Sequence, residues 1–191
     1  HGWAHQKGWP VPTEMTFFFP GPDGKPLRYA YWSAQVPERR SGTVVFFQGR
    51  TEFIEQNIYL YKDLRKRNYD IWTMDWRGQG LSTRMLHNRD KGDIDSYETY
   101  LNDAHYFLTN VVNLEKQPGP KLLLAHSMGG AIGALYLVRY PDSFDLAIFT
   151  SPLIRLPKKD DGPFVRIVNL AKTLSGFGRF CVFREECTWS S

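Results

Sequence analysis

The chain has 191 residues, 42% of them hydrophobic and 15% aromatic, which is one domain's length with ample material for a single core and excludes a disordered chain. Its 24 basic and 20 acidic side chains leave a net charge of +4 without a run of five or six like charges, so no nucleic-acid-binding tail is indicated and no nucleic-acid partner is expected. No apolar stretch reaches the roughly 18 residues of a membrane helix. Two cysteines, Cys181 and Cys187, and five scattered histidines exclude a disulfide-dense scaffold and a four-ligand zinc site.

The elements follow in order. Met15–Phe19 and Leu27–Ala34 are short aromatic runs separated by Pro20 to Pro26, a segment rich in Pro and Gly that forces a turn, and they are expected to pair as an antiparallel hairpin. Thr43–Phe47 is β-branched or aromatic at every position, the pattern of a strand buried on both faces of a parallel sheet. From Glu52 to Lys66 the period becomes helical, with Phe53, Ile58, Tyr61 and Leu64 on one face, acids early, bases late, and Asn68 as the stop. Tyr69–Trp76 reads as a second buried strand. Asp95 with Glu98 forms a capping box ahead of an apolar stripe from Tyr97 to Val112 that Pro118 ends. Lys121–Ala125 is a third buried strand, Met128–Tyr140 a helix closed by Pro141, and Phe144–Thr150 a fourth strand. Strand and helix in this alternation predict an α/β fold with a mostly parallel sheet. Residues 1–14 read as an N-terminal extension, 15–152 as the core, and 153–191 as the start of a helical cap with an amphipathic stretch from Phe164 to Leu174.

The sharpest chemical feature is Ala125-His126-Ser127-Met128-Gly129-Gly130, where a buried strand runs straight into a helix. A serine on so tight a turn is lifted clear of the sheet, and the turn accepts only small residues two before and two after it, here Ala125 and Gly129. The helix that follows points its free N–H groups toward the serine. A second feature, Gln48-Gly49-Arg50-Thr51-Glu52, ends the first buried strand. In open α/β sheets such strand ends share one crevice, so the N–H groups of Arg50 and Met128 are candidate donors to a tetrahedral oxyanion. An ordinary loop with Thr51 as helix cap is compatible with the same residues. Asp75 and Arg77 read as hydrogen-bonding anchors of the glycine-containing loop that ends at Ser82. His126 is not read as a general base, because adjacent side chains on such a turn point apart. His87 and His105 are expected to be solvated.

Val44 to Glu52, then Met74-Asp75-Trp76-Arg77-Gly78-Gln79-Gly80-Leu81-Ser82, then the His-Ser-Met-Gly-Gly elbow resemble, in order and spacing, the α/β-hydrolase superfamily, nearest its lysophospholipase and monoacylglycerol lipase branch. The resemblance spans about residues 15 to 156. It implies a serine hydrolase of carboxylic esters that needs no cofactor and no metal, with Ser127 as nucleophile and Arg50 and Met128 as backbone oxyanion donors. Two positions depart from the pattern. Gln48 stands where monoacylglycerol lipases carry His, and Ala125 stands where the elbow usually begins with Gly; the donors are backbone groups and Ala is small, so the chemistry is unaffected.

A serine nucleophile needs a histidine and an acid, which in this fold follow the serine in the chain. No histidine follows Ser127. Only four parallel strands are read, so the sequence is expected to stop before the last strands of the fold, to leave the final strand's apolar faces without neighbours, and to be inactive alone. The expected substrate is a small monoacyl lipid ester, with peripheral contact at a membrane surface and a cytoplasmic or membrane-peripheral location. Two alternatives stand beside this reading: a non-catalytic hydrolase-fold binding protein, and a thioesterase or peptidase of the same fold.

Overall fold

A computed structural model describes residues 15–88 and 92–153. The N-terminal extension and the Phe164–Leu174 stretch therefore lie outside the described residues. The strands are β1 (Thr16–Pro20), β2 (Pro26–Trp32), β3 (Gly42–Phe47), β4 (Tyr69–Met74), β5 (Lys121–His126) and β6 (Leu146–Thr150), in the sheet order β1-β2-β4-β3-β5-β6. The hairpin β1–β2 joins β4 antiparallel, whereas β4, β3, β5 and β6 run parallel. Every residue of β3 is buried, as its unbroken apolar run requires of a central strand covered on both faces. One face packs Val45, Phe47, Leu123 and Ala125 into a cluster with Trp76, Phe107 and Ile132, and the other packs Phe46 and Ile71 with Ile54, Ile58 and Tyr61.

Three α-helices connect the strands: α1 (Ile58–Lys66), α2 (Tyr97–Tyr106) and α3 (Ser127–Arg139). Helix α1 begins six residues later than its periodicity suggests. Phe53 is extended (φ −146°) and Ile54–Asn57 form a 3₁₀ turn, because the Ile54 N–H is taken by the Asp75 carboxylate and Glu52 is turned back to the loop before it. Asn68 does end the helix, in the left-handed conformation (φ 67°), with its side-chain amide bonded to the backbone of Val36 and Arg39. Before α2, Asp95 bonds the Thr99 hydroxyl and the Ser96 N–H in place of a capping box, and Glu98 pairs with Arg139. The helix then widens into a π-turn over Phe107–Val111. His105 is also not solvated. It is half-buried, stacked on Tyr140 at 4.3 Å and hydrogen-bonded to the Tyr136 hydroxyl at 3.3 Å.

Strand β6 forms the outer edge of the parallel side, with Leu146, Ile148 and Phe149 exposed at 52%, 46% and 36%. An edge this apolar lacks the charges and bulges with which edge strands usually discourage further pairing. No helix among the described residues is long and apolar enough to cross a membrane.

Candidate active site

Strand β5 enters α3 with no intervening residue, and the turn is made by Ser127 itself. Its φ of 49° lies in the left-handed region, a conformation that costs a non-glycine residue on the order of 1–3 kcal/mol and persists only where the surroundings impose it. The surroundings are visible. A Cβ on Gly129 would stand 2.2 Å from the Phe47 carbonyl oxygen and 2.5 Å from that of Gln48, so the first turn of α3 is pressed against the end of β3. A Cβ on Gly130 would meet Pro152 at 2.8 Å, and the Leu153 N–H donates to the Ser127 carbonyl at 2.9 Å. The turn is thus gripped from β3 on one side and from the segment after β6 on the other. No side chain caps α3, so its first N–H groups, Met128 among them, keep their donor capacity.

The β3–β5 ladder closes at Phe47 opposite Ala125, so the loop after β3 and the Ser127 turn leave the sheet at the same end. The Gly49 N–H donates to Glu52 Oε2 at 3.0 Å, and the Thr51 N–H donates to Gln79 Oε1. Between them the N–H of Arg50 has no hydrogen-bond acceptor among the described residues. Thr51 is not a helix cap. It takes a φ of 64°, and its hydroxyl donates to the Arg50 carbonyl at 2.6 Å. The structure thus brings Ser127, Arg50 and Met128, the three residues singled out from sequence, to the carboxyl ends of adjacent parallel strands.

His126 lies against the Gly49 loop and the end of β6. Its Nδ1 lies 3.0 Å from Thr150 Oγ1 and its Nε2 3.4 Å from Glu52 Oε1, tying the ends of β5 and β6 to the Gly49 loop. Among the described residues no hydrogen bond joins it to Ser127. His87 is exposed.

Asp75 is completely buried, and its two oxygens accept four hydrogen bonds: Gln48 Nε2 at 3.0 Å and Ile54 N–H at 2.9 Å on one, Arg28 Nε at 2.7 Å and Leu81 N–H at 2.9 Å on the other. Burial pushes its carboxyl above the ordinary range, and the Arg28 charge opposes that rise. Arg28 also forks onto Glu55, with both bonds at 2.7 Å. Arg77 makes a second buried knot with Asp103 and Asp23, and its guanidinium holds the Asp23 carboxyl well below the usual carboxylate range. These ties fix the Gly78–Ser82 loop beside the Gly49 loop. Gln48, a departure from the family pattern, proves to face inward, its amide donating to the Met74 carbonyl and to Asp75. Glu52 and Gln79, which orient the loop's N–H groups, were not singled out from sequence for that role. The signal that could have found them is weak: a polar side chain one to three positions from a glycine.

The family model described as serine aminopeptidase, S33, matches residues 38–180. Lysophospholipase L2 of Escherichia coli strain K12 is 36% identical over 146 residues, covering 73% of this chain and 41% of its own length. A monoacylglycerol lipase of Mycolicibacterium smegmatis is 25% identical over 85% of this chain and 54% of its own. Among solved structures, a soluble variant of the monoglyceride lipase of Saccharomyces cerevisiae, in complex with a substrate analog, superposes with a TM-score of 0.64 at 25% identity, covering 83% of this chain and 51% of that one. The chain thus spans about half the length of the relatives it matches. With its mixed sheet, strained elbow and motif order, it belongs to the serine aminopeptidase S33 family of α/β-hydrolases, on the lysophospholipase and monoacylglycerol lipase-like branch, and corresponds to the N-terminal portion of that fold.

Proposed function

We propose that this chain supplies the nucleophile and oxyanion hole of a serine hydrolase that cleaves the carboxylic ester of a monoacyl lipid, a lysophospholipid or a monoacylglycerol. The observation that carries the reading is Ser127 at φ 49° on the strand-to-helix turn, beside the N–H of Arg50, which no described residue accepts, and the start of α3, which no side chain caps among the described residues. The names of the relatives support the substrate class.

In this reading Ser127 Oγ attacks the ester carbonyl while a histidine takes its proton. The N–H groups of Arg50 and Met128 receive the charge on the carbonyl oxygen, and the histidine returns the proton to the departing alcohol. Water then repeats the sequence on the acyl-enzyme and frees the fatty acid. The described histidines are engaged elsewhere or exposed, and this reading takes the triad histidine and acid from sequence that the 191 residues do not include, which the greater length of the relatives supports. On this reading the 191 residues alone are expected to show no turnover.

A fluorophosphonate probe on the full-length protein tests this. Ser127 is expected to be labelled, and Ser127→Ala to lose both the label and turnover, by a factor on the order of 10⁶ in kcat. Hydrolysis of a monoacyl ester unaltered by Ser127→Ala, or a full-length protein that takes no label, overturns the proposal. A preference for thioester or amide substrates would retain the nucleophile and change the substrate class.

A further inference from the structure

We propose that Gln79 is the positioning residue of the oxyanion hole, a single side-chain amide that holds both of its walls. The inference rests on the assignment of Arg50 and Met128 as oxyanion donors.

Three successive N–H groups occupy the loop after β3. The first, of Gly49, is held by Glu52 Oε2 at 3.0 Å, and the third, of Thr51, is held by Gln79 Oε1. The peptide planes on either side of the Gly49–Arg50 peptide are therefore fixed by side-chain acceptors, and the middle N–H is left aimed by default. Thr51 pays attention to no helix: it sits at φ 64°, where an L residue without a holding contact relaxes toward negative φ. If the Gln79 acceptor is removed, that relaxation rotates the Arg50–Thr51 peptide and carries the Arg50 N–H with it.

The other wall is touched by the same amide. Gln79 Nε2 stands 3.9 Å from the sulfur of Met128, the second donor residue. These contacts give the amide a fixed sense, oxygen toward Thr51 and nitrogen toward Met128. Its backbone cannot drift, because the Gln79 N–H donates to the Trp76 carbonyl at 2.9 Å and its own carbonyl accepts from Ser82 N–H at 3.1 Å. At 7% exposure the amide meets little competing water. Among the described residues Gln79 makes no hydrogen bond to Ser127; it acts through the loop.

The test uses the full-length protein and three variants: Gln79→Leu, which keeps the volume and loses the acceptor, Gln79→Asn, which keeps the polarity but falls short of Thr51, and Gln79→Leu combined with Thr51→Gly. Both single variants are expected to lower kcat on a monoacylglycerol roughly 10- to 100-fold, less than the loss of a donor outright, with KM within about twofold. Adding Thr51→Gly is expected to restore several-fold of the loss, because glycine occupies positive φ without being held. A role in core packing alone would not be rescued that way. Amide hydrogen exchange at Thr51 supplies a readout independent of turnover, and it is expected to accelerate in both single variants. Unchanged kcat, a loss confined to KM, no rescue, or unchanged Thr51 exchange overturns the inference while Ser127 labelling in the parent protein keeps the hydrolase reading intact. Absence of that labelling instead removes the hydrolase reading and this inference with it.

Discussion

Asp75→Asn is expected to lower the free energy of unfolding by about 3–5 kcal/mol, the range for breaking a buried charge pair by removing one partner. Each Asp75 oxygen accepts two hydrogen bonds, so turning either one into an NH₂ sets a donor against two donors: Gln48 Nε2 and Ile54 N–H on one side, Arg28 Nε and Leu81 N–H on the other. Two buried donors are orphaned at about 1–3 kcal/mol each. The Arg28 charge, 2% exposed, keeps only Glu55. Against a total stability of roughly 5–15 kcal/mol, this is a large fraction. The donors that Asp75 collects come from the end of β3, the start of the 3₁₀ turn and the glycine loop, so the loss would also free the frame on which Arg50 and Gln79 stand. The denaturation midpoint, measured alongside Ser127 labelling, separates the two readings of this carboxylate. A structural anchor predicts a lower midpoint with labelling reduced in proportion to the unfolded fraction. An Asp75→Asn protein with an unaltered midpoint and lost activity would make Asp75 part of the chemistry.

The strand at Thr43–Phe47 was legible because a strand buried on both faces must be apolar or β-branched at every position, and β3 is buried throughout; Lys121–Ala125 was also expected to be buried, but β5 is buried only at Leu123 and Ala125 and half-buried elsewhere, beside the apolar edge strand β6. The elbow was legible because a serine flanked by Ala125 and Gly129 between strand and helix has a steric reason to be there, which the overlap at Gly129 makes concrete. What the pattern concealed were polar contacts between segments distant in sequence. Glu52 looks like an acid at a helix start, yet it serves the Gly49 N–H and faces His126; once it and Ile54 are engaged elsewhere, the helix starts late. His105 lies on a helix face that seemed open until Tyr136 of the next helix and Tyr140 just after its end covered it. Gln79 sits inside a motif whose glycines and Asp75 explain the loop's shape, and nothing local reveals that its amide reaches a backbone N–H 28 residues away.

Gly129→Ala is expected to reduce the rate of Ser127 acylation roughly 10²- to 10³-fold, comparable to removing an oxyanion donor. The added Cβ would lie 2.2 Å from the Phe47 oxygen and 2.5 Å from the Gln48 oxygen, and both are backbone atoms of β3 and its exit, with no rotamer to move aside. Relief requires the start of α3 and the end of β3 to separate by about 1 Å, the scale of displacement that costs catalytic geometry about 10²-fold. That separation is between the element bearing the Met128 N–H and the one leading into Arg50, so it opens the oxyanion hole along its own axis. Overpacking adds about 1–3 kcal/mol of destabilisation. Gly133→Ala in the same helix is the control: its Cβ would meet the end of the Leu123 side chain at 3.0 Å, which can rotate, and alanine's helix propensity offsets the remaining crowding by about 1 kcal/mol. Phosphonate labelling rates and thermal midpoints of the two full-length variants decide the matter. Normal labelling in Gly129→Ala would mean that the two strand ends need not be in contact for the serine to react. A matched loss in Gly133→Ala would mean that helix packing in general, and not the approach of α3 to β3, sets the rate.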